Sequence, residues 1–191
     1  MSVLVVYAHP SPQSFNHAVL EEFTKGLKDG GHSFEVVDLH AIGFDPRTKL
    51  EDLAQFAGGQ MPKDVLDQQE KVVAADTLVF IYPKFSASFP AILKGWIDRV
   101  FSYGFAYQGS EKGMEGLLKH QKALLIDTTG FPEEYYKTTG LEDAFRLYGS
   151  SILSSIGIQN VDFVSFYAVP MVDDETRKKY LETAYRLGKE F

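Results

Sequence analysis

Short apolar runs alternate with longer stretches of helical periodicity along the chain. The apolar runs are SVLVVYA at 2–8, SFEVVDL at 33–39, TLVFIYP at 77–83, KALLIDTT at 122–129 and VDFVSFY at 161–167. They are rich in β-branched residues, and the first is apolar on both faces, as a central strand of a parallel sheet is. We therefore predict five strands.

Helical periodicity fills the segments between these strands. It covers residues 15–30, 64–76, 89–101, 139–156 and 173–191, while the irregular segment 41–61 has room for a short helix near 50–56. Parallel strands need crossover connections, which are nearly always right-handed, so this order predicts an α/β fold with a five-stranded, parallel, doubly wound sheet. No linker-like segment interrupts the 191 residues, and we expect a single domain spanning 1–191.

Composition excludes several classes of function. A net charge of −7 without a basic run argues against nucleic-acid binding. The chain has no cysteine, which excludes disulfides, thiolate nucleophiles and cysteine-based metal sites, and no spacing of histidines and carboxylates indicates zinc. We predict no metal site. The first apolar run is much shorter than the roughly 20 residues of a membrane span, so we expect a cytoplasmic protein.

Ligands of doubly wound sheets bind beyond the carboxyl ends of the strands, where the strand order reverses. The loop after the first strand reads AHPSPQSFNHAVL and lacks the glycine fingerprint of dinucleotide-binding proteins. It places Ser11, Ser14 and Asn16 at a helix start, where free N–H groups and the helix dipole favour a phosphate. The same residue types are common helix caps, which is the simpler interpretation. His9 suits either a hydrogen bond across the loop or donation to a phosphate.

The loop 83–88 follows the third strand. Pro83 ends that strand because proline cannot donate to a β-ladder. The small residues 86–88 allow a planar group to approach main-chain amides, with Tyr82 and Phe85 able to flank it. A tight strand-to-helix turn without a ligand is the alternative.

Three segments carry a family resemblance: YAHP with SFNHA near the start, AAD with YP and FPAILKGWIDRVFSYGFAY in the middle, and IDTTG with YY later. Together they resemble the flavodoxin-like NAD(P)H:quinone oxidoreductases, that is DT-diaphorase and its bacterial relatives, some of which are ancillary subunits of potassium efflux systems. The resemblance runs in register over most of 1–168, and the long central segment is its most specific part.

The resemblance implies a three-layer flavodoxin-like sandwich that binds a flavin noncovalently. The flavin is reduced by NAD(P)H and reoxidised by a quinone, usually in a homodimer with sites at the subunit interface. We expect FMN, since the chain is short beside the larger relatives whose additional carboxy-terminal region supports adenine binding; FAD is the alternative.

The family's flavin-binding residues carry over by position. The phosphate and ribityl segment matches His9, Ser14, Phe15 and Asn16. The loop along the isoalloxazine ring matches Pro83, Lys84, Phe85, Ser86 and Ala87. The turn that faces the pyrimidine edge matches Thr128, Thr129 and Gly130. Such fixed N–H and hydroxyl donors stabilise the negative charge that a flavin gains on reduction.

Tyr136 is the catalytic candidate, because it matches the tyrosine proposed to relay charge with a histidine in eukaryotic members. The histidine position falls on or near Glu142, and no histidine lies between residues 121 and 191, so that relay cannot be assumed. A surface or interface position is the alternative for Tyr136 and for Tyr135.

The ring loop also departs from the family. Ser86 occupies the position of a tryptophan that many members place against the flavin. Lys84 can favour the 2′-phosphate of NADPH or a reduced, anionic flavin, whereas a solvated lysine is the simpler alternative. We expect aromatic walls for the site from Phe85, Phe105, Tyr107, Phe131 and Tyr136.

The expected function is that of an enzyme: a flavin-dependent NAD(P)H oxidoreductase that passes two electrons to a quinone or similar planar acceptor. One alternative is a regulatory flavoprotein that binds a membrane transporter of the potassium efflux type, with secondary redox activity. Another is a one-electron flavodoxin carrier.

Overall fold

The computed structural model describes residues 1–111 and 113–191. The strands are β1 Ser2–Tyr7, β2 Ser33–Asp38, β3 Thr77–Pro83, β4 Tyr107–Ser110, β5 Gly113–Gly116, β6 Lys122–Thr128 and β7 Val161–Phe166. The helices are α1 Phe15–Asp29, α2 Lys63–Val73, α3 Ala91–Val100, α4 Glu133–Thr138, α5 Leu141–Ser155 and α6 Asp174–Lys189, with a 3₁₀ helix at Leu50–Ala57.

Five strands form one parallel sheet in the order β2-β1-β3-β6-β7. The chain leaves β1 toward β2 on one side and then returns to add β3 on the other, so the strand order reverses between β1 and β3. Crevices for ligands form at such a point, beyond the carboxyl ends of the strands. The predicted α/β, doubly wound, flavodoxin-like architecture is confirmed.

Helices cover both faces of the sheet and form two apolar cores. Helices α1 and α6 pack on one face, where Phe23 and Leu27 are fully buried against β1 and β3. Their close approach requires glycine, since a Cβ at Gly26 would collide with the carbonyl of Tyr185. Helices α2, α3 and α5 cover the other face, with Trp96 as the largest fully buried side chain.

The irregular segment 41–61 is tied to α3 by Arg99, which is fully buried. Its guanidinium donates from Nε to Asp52 at 2.8 Å, from Nη1 to Asp64 at 2.7 Å and from Nη1 to the carbonyl of Asp45 at 2.8 Å. Burial acts to raise the pKa of Asp52, but the hydrogen bonds from Arg99 and Lys49 bring it below the ordinary value. The same arginine lowers the pKa of Asp64. Two carboxylates therefore stay ionised around one satisfied cation.

Three parts of the fold differ from the predictions. The short helix near 50–56 is a 3₁₀ helix, and the antiparallel pair β4–β5 and the short helix α4 were not predicted. Of the residues that the structure covers, none belongs to a helix long and apolar enough to cross a bilayer.

Candidate functional site

A cavity of about 560 Å³ opens at the carboxyl ends of β1, β3 and β6. This volume lies in the range of ordinary small-molecule sites, roughly 300 to 1,000 Å³. Its lining includes every residue predicted for flavin binding, together with Tyr136. It also includes five residues outside that set, namely Phe131, Tyr135, Leu141, Val169 and Pro170.

The start of α1 forms one wall of the cavity. Ser14 caps the helix, since its Oγ accepts the N–H of His17 at 3.1 Å. Phe15 and Asn16 occupy the first two helical positions, whose amides have no acceptor within the helix. Ser14 is thus both the helix cap and a wall residue, and the two interpretations of its sequence position do not exclude each other.

Asn16 is buried in the same wall and carries an unpaired acceptor. Its Nδ2 donates to Thr128 Oγ1 at 2.7 Å, which links the first loop to the loop after β6. Among the residues described, no donor reaches its Oδ1. A buried oxygen of this kind suits a ligand that brings its own N–H or O–H group.

His9 presents a hydrogen-bond donor without needing a positive charge. The N–H of Ser11 donates to its Nδ1 at 3.0 Å, so the neutral ring carries its proton on Nε2. Burial lowers the pKa of His9 below its ordinary value. The side chain lines the cavity beside the α1 terminus.

Residues 85–88 form a tight turn over the cavity. Phe85 and Ser88 exchange two backbone hydrogen bonds, of 3.1 and 2.9 Å. Ser86 and Ala87 have φ values of 49° and 56°, the left-handed pair that a type I′ turn requires. Glycine or asparagine is usual at such positions, and any other residue in this left-handed conformation destabilises the fold by about 1–2 kcal/mol. The turn is therefore a strained and defined element at the site.

The loop after β6 is held from both sides. Pro83 lies beside Thr128 in the sheet register, and Thr128 accepts the N–H of Lys84 at 2.9 Å. The hydroxyl of Thr129 donates to Phe131 at 2.8 Å, and a Cβ added to Gly130 would meet nothing within 4 Å. Gly130 therefore leaves open space beside a rigid backbone, where a ligand edge fits.

Aromatic side chains surround the cavity, but not all of those predicted. Phe85 and Phe131 stand at its rim with 56% and 55% of their surface exposed, whereas Tyr136 is buried with 4% exposed. Phe105 and Tyr107 do not line it. Phe105 lies beside residues that precede β3 and β6, at the opposite edge of the sheet, so the expectation for those two walls is wrong for this chain.

Lys84 lies inside the protein, which overturns the solvated-lysine interpretation. Its side chain is fully buried, and its Nζ is 3.3 Å from Asp127 Oδ1 and 3.4 Å from Glu142 Oε2. The ammonium also lies 4.3 Å from the ring centroid of Phe145 and 5.2 Å from that of Tyr136. The ammonium is therefore directed into the core behind the cavity, and it does not reach outward to a nucleotide phosphate.

Asp127 is the buried partner that sequence reasoning missed. Its Oδ2 accepts the hydroxyl of Ser165 at 2.9 Å, while its Oδ1 faces Lys84 without the alignment of a hydrogen bond. Burial raises the pKa of Asp127 to about 6, against the opposing effect of Lys84. The available signal was an aspartate inside the apolar run KALLIDTT.

Glu142 is also buried but remains an acid of low pKa. Burial acts to raise the pKa of Glu142, but Lys84, together with hydrogen bonds from Tyr167 and Arg146, brings it below the ordinary value. The N–H of Arg146 donates to Glu142 at 2.6 Å. A buried ionic cluster of Lys84, Asp127 and Glu142 thus lies where the family resemblance places a histidine, and Arg146, whose side chain is 43% exposed, pairs with Glu142 at its edge.

No group of three or more histidines, aspartates and glutamates is arranged to hold a metal ion in the part of the chain described here. The chemistry available at the cavity is that of amides, hydroxyls, aromatic rings and the buried ionic cluster.

A parallel, doubly wound sheet with this cavity at its switch point defines an α/β ligand-binding protein of the kind that holds planar cofactors. The family model for the flavodoxin-like fold matches residues 1–187, and the chain belongs to that family.

The relatives extend the match beyond the fold. An uncharacterized NAD(P)H oxidoreductase of Haemophilus influenzae is 32% identical over 96% of this chain and 92% of its own length. A ribosyldihydronicotinamide dehydrogenase [quinone] of Pongo abelii is 36% identical over 76% of this chain and 71% of its own. The solved NAD(P)H:quinone oxidoreductase of Methanothermobacter marburgensis superposes with a TM-score of 0.89 at 36% identity, covering 100% of this chain and 95% of that one. The names of these relatives give no support to the transporter-subunit alternative.

Proposed function

We propose that the chain is a flavin-dependent NAD(P)H oxidoreductase that passes two electrons to a quinone or a similar planar acceptor. The observation that carries the proposal is the cavity of about 560 Å³, where a helix terminus, a turn with free amides and an aromatic rim converge. The proposal takes residues 1–191 as one domain. Homologues named as NAD(P)H oxidoreductases and quinone dehydrogenases support it.

The residues around the cavity fit a flavin. Ser14, His9 and the first amides of α1 offer donors for a phosphate, as helix N-termini commonly do. The turn 85–88 and the loop Thr128–Gly130 would hold the two edges of the ring, and the free Oδ1 of Asn16 matches a donor on the ligand. A bound flavin supplies the two-electron chemistry, taking a hydride from NAD(P)H and passing the electrons to the acceptor.

The protein itself positions the ligand, excludes water from the cavity and supplies a proton donor. The three loops are cross-linked by hydrogen bonds, so donors directed at the ring need no rearrangement as negative charge develops there. Burial raises the pKa of Tyr136, and its hydroxyl therefore stays protonated at neutral pH. We assign Tyr136 as the catalytic donor at the cavity wall.

The proposed cofactor is FMN rather than FAD. The N-terminus of α1 offers a site for one phosphate group, which is the number that FMN carries.

We also propose a homodimer whose interface includes the cavity rim. Phe131 and Tyr135 pack together at the opening with ring centroids 5.0 Å apart, Phe85 is exposed on the lining of the same cavity, and exposed apolar surface commonly marks an interface. Light scattering on the purified protein should give twice the mass of the chain, and Phe131→Glu should shift it toward the monomer.

The first test is the visible absorption spectrum of the purified protein after incubation with FMN and removal of the excess. We expect a flavin spectrum that bleaches with anaerobic NADPH or NADH and returns when a quinone is added. Mass analysis of the released cofactor separates FMN from FAD. A protein that binds no flavin after reconstitution would overturn the proposal.

A matched pair of variants ties the spectrum to the cavity. Asn16→Ala removes the buried amide and should weaken flavin binding about tenfold or more, since it deletes a desolvated hydrogen-bonding group. Asn160→Ala changes the same residue type at an exposed position and should leave binding unchanged. Equal flavin dissociation constants for both folded variants would place the flavin elsewhere.

A further inference from the structure

The buried ionic cluster lies directly behind the candidate site. Lys84 follows β3 by one residue, and Asp127 immediately precedes Thr128, whose backbone oxygen accepts the N–H of Lys84. Lys84 and Thr128 both line the cavity. A charge added inside the cavity is therefore separated from the cluster by little more than one layer of backbone.

Groups from every neighbouring element face Asp127. They are Tyr82 and Lys84 on or after β3, Tyr136 on α4, Glu142 on α5, and Ser165 and Tyr167 on or after β7. Arg146 on α5 contacts Glu142. Burial raises the pKa values of the three tyrosines, which remain neutral at ordinary pH. The charges that matter are thus those of Lys84, Arg146, Glu142 and Asp127.

These charges balance only while Asp127 is ionised. Lys84 and the half-exposed Arg146 then offset Asp127 and Glu142, and one added proton removes one buried negative charge. Asp127 is the carboxyl suited to take that proton, because its Oδ1 faces Lys84 at 3.3 Å without an aligned hydrogen bond. Glu142 receives hydrogen bonds from both Lys84 and Arg146 and keeps a lowered pKa.

We propose that Asp127 is a positioning residue that binds one proton when negative charge is added to the cavity, so that the cluster loses one negative charge behind the reduced flavin. This inference rests on the proposed function. One proton from bulk water adds to the Asp127 carboxylate and forms its O–H bond; no electron enters the cluster, and both electrons reside on the flavin.

The coupling has a direct electrostatic cause. Negative charge close to a buried carboxylate disfavours its ionised form and raises its pKa, and the effect is large where water is excluded. Asp127 has no exposed side-chain surface, and its pKa is already raised to about 6. Reduction therefore raises the pKa of Asp127 through neutral pH, where the carboxyl was ionised before reduction.

The test counts the protons taken up per two electrons, from the pH dependence of the midpoint potential of the flavin-loaded protein between pH 5 and 9. For the natural protein we expect two protons per two electrons from about pH 6, where Asp127 is ionised before reduction, up to the higher pKa that Asp127 has beside the reduced flavin. Below that pH we expect one, since Asp127 then already carries its proton. Asp127→Asn should show one proton throughout.

The control is Asp143→Asn, which removes the same charge next to Glu142 but from an exposed position. It should follow the natural protein. A second proton taken by the flavin itself would give the opposite trend, with the ratio rising as the pH falls and with no change in Asp127→Asn.

The inference would be overturned if the ratio of protons to electrons in the natural protein rose as the pH fell, or if it stayed constant. Should Asp127→Asn fail to fold, the trend in the natural protein decides, and the double replacement Lys84→Met with Asp127→Leu provides an apolar substitute that should show one proton. A protein that binds no flavin overturns the proposed function, and this inference with it, whereas a loaded protein with a constant ratio overturns this inference alone.

Discussion

Two cations are buried between pairs of carboxylates on the same face of the sheet, and they differ in how well they are satisfied. Arg99 makes hydrogen bonds of 2.7 to 3.3 Å with Asp52 and Asp64. Lys84 stands 3.3 and 3.4 Å from its partners, and Asp127 Oδ1 has no aligned donor in the described chain. The planar guanidinium matches two carboxylates at once, whereas the compact ammonium leaves one of them unsatisfied.

The difference separates a structural clamp from a group that can titrate. Arg99 lowers the pKa of both its carboxylates and fastens the segment 41–61 to α3. Lys84 leaves Asp127 with a raised pKa, next to the cavity. For a buried carboxylate that is incompletely paired, the ionised and the protonated forms differ little in free energy near neutral pH. Such groups are typical of functional sites.

The same contrast holds for the backbones of the two regions. The segment 41–61 uses glycine at its left-handed positions, with φ of 61° at Gly43 and 76° at Gly58. The turn that follows Lys84 places Ser86 and Ala87 in that region instead. Unfavourable backbone conformation and unsatisfied charge therefore occur together at the cavity and are absent from the clamp.

The largest effect should come from removing the cations. Arg99→Met leaves Asp52 buried and ionised, and should lower the free energy of unfolding by about 3–5 kcal/mol. Lys84→Met should lower it by less, because Asp127 can take up a proton and remain neutral. Urea unfolding of the flavin-free variants at pH 7 measures both values, with exposed Lys63→Met as the control. A loss for Lys84→Met as large as that for Arg99→Met would contradict the comparison.

Next in size is the dependence of stability on pH. The folded pKa of Asp127, about 6, exceeds the unfolded value of about 3.9, so the native state binds more protons between these values. The stability due to Asp127 is fully present below about pH 4 and is lost as the pH rises through 6. A shift of about two units corresponds to about 3 kcal/mol.

Unfolding free energies at pH 4, 5, 6 and 7 test this sign for Asp127, and values at pH 2 and 3 extend the test to Asp52. The difference between the natural protein and Asp127→Asn should fall by about 2 kcal/mol between pH 4 and pH 7. The clamp should behave in the opposite way, because the folded pKa of Asp52 is lowered: its contribution is present above about pH 4 and is lost as the pH falls further. If Asp127→Asn and Asp52→Asn gave differences of the same sign, the distinction between the two clusters would be lost.

The smallest effect concerns the strained turn. Ala87→Gly removes the unfavourable contact of a Cβ at positive φ. Once the cost of the greater flexibility of glycine in the unfolded chain is subtracted, the free energy of unfolding should rise by about 1 kcal/mol. Gly58→Ala makes the reverse change in the other region and should lower it by about 1–2 kcal/mol. Thermal unfolding of both variants measures these changes in stability. A destabilised Ala87→Gly would mean that the turn holds no such strain.

The elements that the sequence predicted well are those with a long, consistent pattern. The run TLVFIYP at 77–83 is buried throughout as β3, and the periodic stretch 15–30 is helix α1, whose cap Ser14 was among the predicted residues. Helix α4 was missed because its six residues are too few to show a period. The hairpin β4–β5 is mostly exposed on both faces and shows no alternation of apolar and polar positions.

The sequence by itself determined the sheet, the helices that cover it and the loops that meet at one edge, because hydrophobic periodicity is a local property that burial then enforces. Only the tertiary structure decided which charged residues are buried and which groups they pair with. Lys84 and Glu142 are 58 positions apart in the chain, and each alone has the pattern of a solvated side chain. Whether a charge is buried, paired or free to titrate depends on which distant groups the fold brings to within about 4 Å, and no local pattern records that distance.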